Sequence, residues 1–229
     1  MTMSTPIILI TGATGAFGRA FAQQAAKHQA QLVLSARDQS KLEQLADELP
    51  ASPTPILWPA DLESITLAQI SAALDELPVS ITHFDLILYA AVELGQQTPI
   101  LQSSTTNWQR LLQINVEGAR LLIAACKPLL QRADRAQVIL LDDPVTEQSP
   151  FWAGYGASKA LLRHLASQLQ LEWAKTESIR CQLYSPAPMH SSLRARAFPG
   201  ENPSQHAQPA LQAQLLYEQL ELPSSKSSE

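Results

Sequence analysis

Two groups of residues in this chain have the types and spacing to do chemistry. Tyr155 and Lys159, in the run Tyr155-Gly156-Ala157-Ser158-Lys159, lie four apart and so share one face of a helix. An ammonium beside a phenol favours the phenolate, lowering the phenol from its ordinary value of about 10 and making it a proton donor or acceptor near neutral pH. The same pair also occurs routinely on exposed helix faces, where it does no chemistry. The second group is Thr11-Gly12-Ala13-Thr14-Gly15-Ala16-Phe17-Gly18. Glycines at this spacing let a pyrophosphate approach the backbone and sit against the free N–H groups of a helix N-terminus, where side chains would block it. An ordinary tight turn is the other reading of such a pattern. The apolar run 6–10 before it and the helix-like 19–28 after it supply the strand-turn-helix context that a phosphate loop requires.

The elements that must hold these residues alternate along the chain. Apolar runs predict strands at 6–10, 32–36, 55–60, 84–91, 137–141 and 179–185. Helical spacing predicts helices at 19–28, 39–49, 64–77 with Ser64 as N-cap, 105–131 with Pro128 as a kink or end, 150–175 and 209–222. Short apolar strands alternating with helices imply a doubly wound α/β fold, a parallel sheet with helices on both faces and right-handed crossovers. Ligands in such sheets bind at the carboxyl ends of the strands, which places the Gly12 loop, Arg37, Asp61, Ala91, Asp142 and Pro186 along one rim. In a dinucleotide fold an acidic residue about 20 positions past the glycines binds the ribose hydroxyls, whereas an Arg accommodates a 2′-phosphate. Here Ala36 ends the strand and Arg37 follows, which favours NADP over NAD; a solvated surface Arg beside Asp38 is the alternative.

The 229 residues, 45% hydrophobic and 16% charged, fit one domain over 1–223 with a substantial core. The irregular stretch 187–208, rich in Pro, Ser and Arg, reads as a substrate-side flap, and the polar tail 224–229 is expected to be disordered. A formal charge of -5 argues against nucleic acid or an acidic membrane as partner. With neither a basic leader nor an apolar stretch near 20 residues, a cytoplasmic protein is expected. Cys126 and Cys181 read as reduced packing thiols, and the five histidines are scattered, so no metal site is readable.

On these residues the chain resembles the short-chain dehydrogenase/reductase family over roughly 6–200. Its loop meets the family's commonest pattern, Thr-Gly-x-x-x-Gly-x-Gly, at Thr11, Gly12 and Gly18, with Ala16 at the middle glycine, and matches in full the Thr-Gly-x-x-Gly-x-x-Gly of the extended branch. Asp61-Leu62 resembles the adenine-side Asp after strand three, Asn115 falls in the long fourth helix, and Tyr155 and Lys159 match Tyr-x-x-x-Lys. The segment 193–203 also looks like a small bacterial branch of mostly uncharacterised oxidoreductases. The resemblance implies a Rossmann-type sheet, here with six strands in the order 3-2-1-4-5-6, since the usual seventh strand is not visible after Pro209.

It also implies roles. Thr11, Gly12, Thr14, Gly15, Ala16, Phe17, Gly18, Arg37, Asp61, Leu62, Ala90, Ala91, Pro186 and Ser191 would bind the cofactor together with Tyr155 and Lys159. Tyr155 would donate a proton to a carbonyl oxygen as hydride arrives from the nicotinamide, Lys159 would hold the ribose and lower the Tyr155 pKa, and Asn115 would help anchor a water relay behind Lys159. The family's Ser after strand five falls on Asp142 and Asp143. Losing such a donor costs about 3 to 4 kcal/mol, unless a protonated Asp142 donates instead or Thr146 or Ser149 reaches in. The family's Asn-Asn-Ala-Gly appears as Tyr89-Ala90-Ala91-Val92 and its Pro-Gly as Pro186-Ala187, adding Cβ atoms where backbone meets cofactor.

The expected function is an NADP(H)-dependent oxidoreductase acting on a small carbonyl or alcohol substrate; the alternative is a catalytically impaired nucleotide-binding protein serving as sensor or scaffold. A homodimer through the two long helices would use Trp108, Leu112, Leu122, Leu162 and Trp173.

Overall fold

The structure, a computed structural model, describes residues 5–175 and 178–223; the tail expected at 224–229 lies outside them. Six parallel strands, β1 (Ile7–Thr11), β2 (Gln31–Ala36), β3 (Ile56–Pro59), β4 (Leu86–Tyr89), β5 (Ala136–Leu141) and β6 (Ile179–Tyr184), pair in the order β3-β2-β1-β4-β5-β6. β1 and β4 are buried along their whole length, as strands covered on both faces must be. Alternate residues of each strand enter opposite cores. Leu9, Val33, Ile87 and Val138 pack beneath α3 (Leu67–Asp75), α5 (Gly118–Leu130) and α6 (Ala153–Trp173). Ile8, Ile10, Leu34, Leu88 and Ile139 pack beneath α1 (Ala16–Lys27), α2 (Gln39–Glu48) and α8 (Pro209–Gln219). The register sets Thr11 level with Ser35 and Tyr89, so the loops that leave β1, β2 and β4 emerge at one edge.

Four local features differ from the sequence expectation. The helix expected at 105–131 is α4 (Thr105–Leu112), a π-helical turn (Gln113–Glu117) and α5, so the interruption falls at Asn115 and not at Pro128. Pro128 sits in the last turn of α5, and the helix continues through it to Leu130. The helix at 64–77 starts later, because Thr66 and Gln69 form a reciprocal capping box that Ser64 cannot offer. The 84–91 strand narrows to four residues, its ends turning into loops. Finally, the irregular 187–208 contains α7 (Ser192–Ala197) and a 3-10 turn at Pro203–Gln205, and it is closed by a parallel bridge between Met189 and Ala207. Its entry is fastened by buried Gln212 of α8, whose side-chain oxygen accepts from the Ala187 N–H at 2.8 Å.

Of the residues expected to join two copies, Leu122, Leu162 and Trp173 are core side chains of this chain. These three side chains of α5 and α6 pack into the sheet core, while Leu161 and Leu171 of α6 stay exposed and Trp108 and Leu112 of that set are partly accessible. No described helix is long and apolar enough to cross a membrane.

Candidate active site

The loops at the carboxyl edge enclose a cavity of about 580 Å³. One wall is the turn between β1 and α1. Gly12 has φ +66°, and a Cβ there would lie 2.5 Å from the Ala91 nitrogen and 2.7 Å from the Ala90 carbonyl carbon. A Cβ on Gly18 would run into the Gly12 carbonyl. These two glycines let the turn fold against both the β4 end and its own helix. Gly15 is the N-cap of α1 and contributes no side-chain acceptor, so the first-turn N–H groups keep the open donors every helix start has. Thr14, Gly15, Ala16, Phe17 and Gly18 line the cavity beside them. Thr11 does not: it is buried below the turn, with no partner for its hydroxyl. Gly12→Ala is expected to lower the stability by more than 1 kcal/mol, since it combines a left-handed φ with a backbone clash, and to abolish nucleotide binding in a fluorescence titration.

Arg37 follows β2 on the exposed rim of the same cavity, and no ion pair or hydrogen bond engages its guanidinium among the described residues. Its neighbour Asp38 caps α2 and pairs with Lys41 at 3.4 Å. Asp61 and Leu62 line the wall after β3, with the Asp61 carboxylate accepting from the Glu63 N–H at 3.1 Å. Ala90, Ala91 and Val92 form the floor. This set of groups, a glycine turn with open N–H donors and a guanidinium with no ion pair one strand away, fits a dinucleotide bearing an extra phosphate on its adenosine ribose.

The middle of the site is organised by the π turn. Asn115 is 1% exposed; its Oδ1 accepts from the Glu93 N–H at 2.8 Å, and its Nδ2 donates to the Glu93 carbonyl at 2.9 Å and to Ser158 Oγ at 3.0 Å. Ser158 Oγ in turn donates to the Tyr155 carbonyl at 2.7 Å. Asn115 therefore ties the segment after β4 to the turn of α6 that carries Tyr155, so its side chain is a positioning group, fully engaged by protein. Tyr89, where the resemblance places an Asn, sends its buried hydroxyl to the Ile114 carbonyl at 2.5 Å. The space for that hydroxyl exists because residue 118 is Gly: a Cβ there would lie 2.6 Å from the Tyr89 oxygen.

Tyr155 and Lys159 line the far end of the cavity, both nearly inaccessible to solvent. They do not touch as the sequence spacing suggests. Lys159 Nζ donates to the Leu141 carbonyl at 2.7 Å and lies 5.5 Å from the Tyr155 ring centroid. The Tyr155 hydroxyl donates to Asp143 Oδ2 at 3.1 Å. The expected lowering of the phenol is reversed: burial first, then the Asp143 carboxylate and its hydrogen bond, then Asp142, push Tyr155 well above its ordinary value. Burial lowers the Lys159 ammonium to about 8, with Asp143 and Asp142 acting against it.

The two aspartates after β5 separate in the structure. Asp142 turns away to Arg163 of α6 at 2.8 Å, which leaves it an acceptor in an ion pair and not the donor imagined from the sequence. Asp143 faces Tyr155. Of the other two candidates, Thr146 donates its hydroxyl to the Asp143 carbonyl at 3.0 Å, and Ser149 is not part of the cavity lining. Adjacent residues of extended chain point to opposite sides; that alternation was the available signal that Asp142 and Asp143 could not both reach Tyr155.

The remaining wall comes from the 187–208 segment. Pro186, Pro188, Met189 and Leu193 line it. Ser191 also lines it, but its oxygen accepts from the Arg194 N–H at 3.0 Å as the cap of α7. Arg194 is held by two hydrogen bonds to Glu201, at 2.7 and 2.6 Å, and Arg196 reaches Glu93 at 3.5 Å across the cavity mouth. Ala197 and the partly buried Phe198 pack with Trp152, Leu94 and Tyr155. Glu93, the joint between this segment and the π turn, was not singled out from the sequence; it lies within no recognisable motif.

A parallel sheet of this order, with a glycine turn after its first strand and a Tyr/Lys pair on the helix that follows its fifth, defines a dinucleotide-binding oxidoreductase fold. Comparison with known proteins agrees: the profile of the family described as short chain dehydrogenase matches residues 6–202, and the chain belongs to that family. It is 28% identical to the uncharacterized oxidoreductase YciK of Escherichia coli K12 over 89% of this chain and 81% of that protein. It is 26% identical to the NADP-dependent 3-hydroxy acid dehydrogenase YdfG of Shigella flexneri over 72% of this chain and 66% of that one. Among solved structures, a short chain dehydrogenase from Escherichia coli CFT073 complexed with NADPH superposes with a TM-score of 0.88 at 27% identity, covering 97% of this chain and 92% of the other.

Proposed function

We propose that this protein is an NADP(H)-dependent oxidoreductase that reduces a small carbonyl compound or oxidises the corresponding alcohol. The observation that carries the proposal is a single cavity lined at one end by the Gly12 to Gly18 turn and Arg37 and at the other by Tyr155 and Lys159. NADP-dependence of a relative and NADPH in a structural neighbour support the choice of cofactor. Bound there, the nicotinamide supplies or accepts the hydride. The first turn of α1 holds the pyrophosphate, Arg37 the extra phosphate, and Lys159 the nicotinamide-side ribose. Tyr155 delivers its hydroxyl proton to the carbonyl oxygen as charge develops on it. A phenol held well above its ordinary value is fully protonated at neutral pH, which suits the reduction direction, in which it must give a proton. The 187–208 segment, pinned by Arg196 and by the Trp152 and Phe198 contacts, closes over the reacting end and excludes water.

The hydrogen bond from Tyr155 to Asp143 favours a second reading, a nucleotide-binding member with its catalytic hydroxyl diverted. Fluorescence titration with NADPH and NADH, followed by a screen of carbonyl compounds, separates the two. The oxidoreductase reading expects tight NADPH binding, weak NADH binding and turnover. NADPH binding without turnover of any carbonyl supports the second reading, and no binding of either nucleotide overturns both. Arg37→Ala is expected to weaken NADPH by about tenfold to a hundredfold, the worth of hydrogen bonds to a charged group, while leaving NADH unchanged. Equal loss for both nucleotides would show that Arg37 does not read the phosphate.

A further inference from the structure

The Asp143 carboxylate stands where a hydroxyl donor is expected, and it differs from two other acids of the cavity, Asp142 and Glu93. Asp142 is paired with Arg163, and Glu93 lies near Arg110 and Arg196, at 3.4 and 3.5 Å. No cation pairs with Asp143 among the described residues; its Oδ1 accepts only from the Val145 N–H at 3.3 Å, and its Oδ2 accepts from Tyr155. The cations nearest this end do not pair with it: Lys159 Nζ donates to the Leu141 carbonyl, and Arg194 pairs with Glu201. A partly buried acceptor of this strength is costly to leave without a donor. When Tyr155 turns its proton toward a carbonyl oxygen, Asp143 loses the one side-chain donor it has.

We propose that Asp143 selects the substrate, and that the substrate carries a hydrogen-bond donor on the carbon next to the carbonyl: an α-hydroxy ketone or, in the reverse direction, a vicinal diol. The proposal rests on the oxidoreductase reading above. Tyr155 Oη and Asp143 Oδ2, a donor and an acceptor 3.1 Å apart, form a pair that complements a carbonyl oxygen and a neighbouring hydroxyl, whose separation in a staggered ligand is similar. The ligand hydroxyl donates to Asp143 and so frees Tyr155 to donate to the carbonyl. A simple ketone offers no such exchange: it leaves the carboxylate stranded beside the negative charge growing on its own oxygen. In the reaction the carbonyl carbon gains hydride from NADPH, the oxygen gains the Tyr155 proton, the α-hydroxyl is conserved, and a diol, NADP+ and a tyrosine reprotonated from solvent result. An ammonium on the neighbouring carbon presents the same donor chemistry, and the test separates the two.

The test compares isosteres with the full chain. Acetoin, 3-methyl-2-butanone and 3-amino-2-butanone are supplied with NADPH, and kcat/KM is measured for the wild type, Asp143→Asn and Asp143→Ser. In parallel, 2,3-butanediol and 3-methyl-2-butanol are titrated calorimetrically into protein saturated with NADP+, which reads selection without turnover. Wild type is expected to prefer acetoin over 3-methyl-2-butanone, and the diol over the methyl alcohol, by about tenfold to a hundredfold. Asp143→Ser should shrink that preference to near unity by raising turnover of the simple ketone; Asp143→Asn, of the same size, should also lose most of it. A higher kcat/KM for the amino ketone than for acetoin would assign the donor to an ammonium and overturn the hydroxyl. Cofactor binding with equal handling of both ketones, or a preference untouched by either Asp143 variant, overturns the proposal and leaves the oxidoreductase reading standing. Loss of NADPH binding overturns both.

Discussion

Tyr155→Phe is expected to reduce carbonyl turnover by about a thousandfold or more, the upper range for removal of a general acid, while NADPH binding stays nearly unchanged. The phenol ring remains packed against Trp152 at a centroid distance of 5.6 Å, so the helix turn and the wall it forms survive the substitution. What disappears is the proton that must reach the substrate oxygen. The hydroxyl also donates to Asp143, and its removal leaves that carboxylate facing the carbonyl oxygen without a donor between them, which adds to the loss. Stopped-flow measurement of NADPH oxidation checks the rate, and nucleotide fluorescence checks the binding. A variant that keeps most of its turnover would remove Tyr155 from the mechanism.

Lys159→Met is expected to stabilise the cofactor-free protein while eliminating turnover. The Lys159 ammonium is buried and lowered to about 8 in the folded chain against 10.5 for the ordinary side chain. Below pH 8 both folded and unfolded chains carry the proton, and the folded one bears the full cost of burying it. Between pH 8 and 10.5 the unfolded chain holds a proton that the folded chain has released, so this group makes stability rise with pH. Above that range the cost is gone. The gap between the two values corresponds to about 3 kcal/mol. Methionine restores about that much at neutral pH, less about 1 kcal/mol for the Leu141 carbonyl left without its donor. Urea unfolding of both proteins at pH 7 and near pH 10 checks the sign: the variant should lead at neutral pH and lose its lead at the alkaline end. Tyrosine and cysteine titrations are common to both proteins and cancel in the difference. A lead independent of pH would mean that Lys159 binds its proton equally well in the folded and unfolded chains, so that burial does not lower it.

The arrangement of the sheet was legible in the sequence because parallel strands covered on both faces are continuous apolar runs, such as Ile7 to Ile10 or Leu86 to Leu88. The glycine turn was legible because steric exclusion acts directly on residue type, as the contacts a Cβ would make at Gly12 show. Tyr155 and Lys159 were legible as members of one helix face, but their electrostatics were not. Spacing cannot reveal that the ammonium is held by the Leu141 carbonyl or that burial outweighs it. The π turn at Asn115 escaped because its cause is tertiary: a hydroxyl from β4 and a backbone loop at Glu93 draw on that stretch of helix. The short helix in 187–208 escaped because six residues between prolines carry too little periodicity to register. Asp142 and Asp143 differ only in which side of the chain they leave.

The contact between the Tyr89 hydroxyl and Gly118 makes the history of the site directional. A side chain at 118 collides with the phenol oxygen, so any lineage or engineering route toward alanine there must first surrender the hydroxyl at 89. Phenylalanine at 89 opens that route, whereas alanine at 118 taken first forces the buried Tyr89 hydroxyl from its place. The two orders reach the same double variant by paths of unequal height, which is sign epistasis. A library that randomises the packing between β4 and α5 one position at a time will therefore score Gly118 as constrained, although a single prior change at Tyr89 removes that contact.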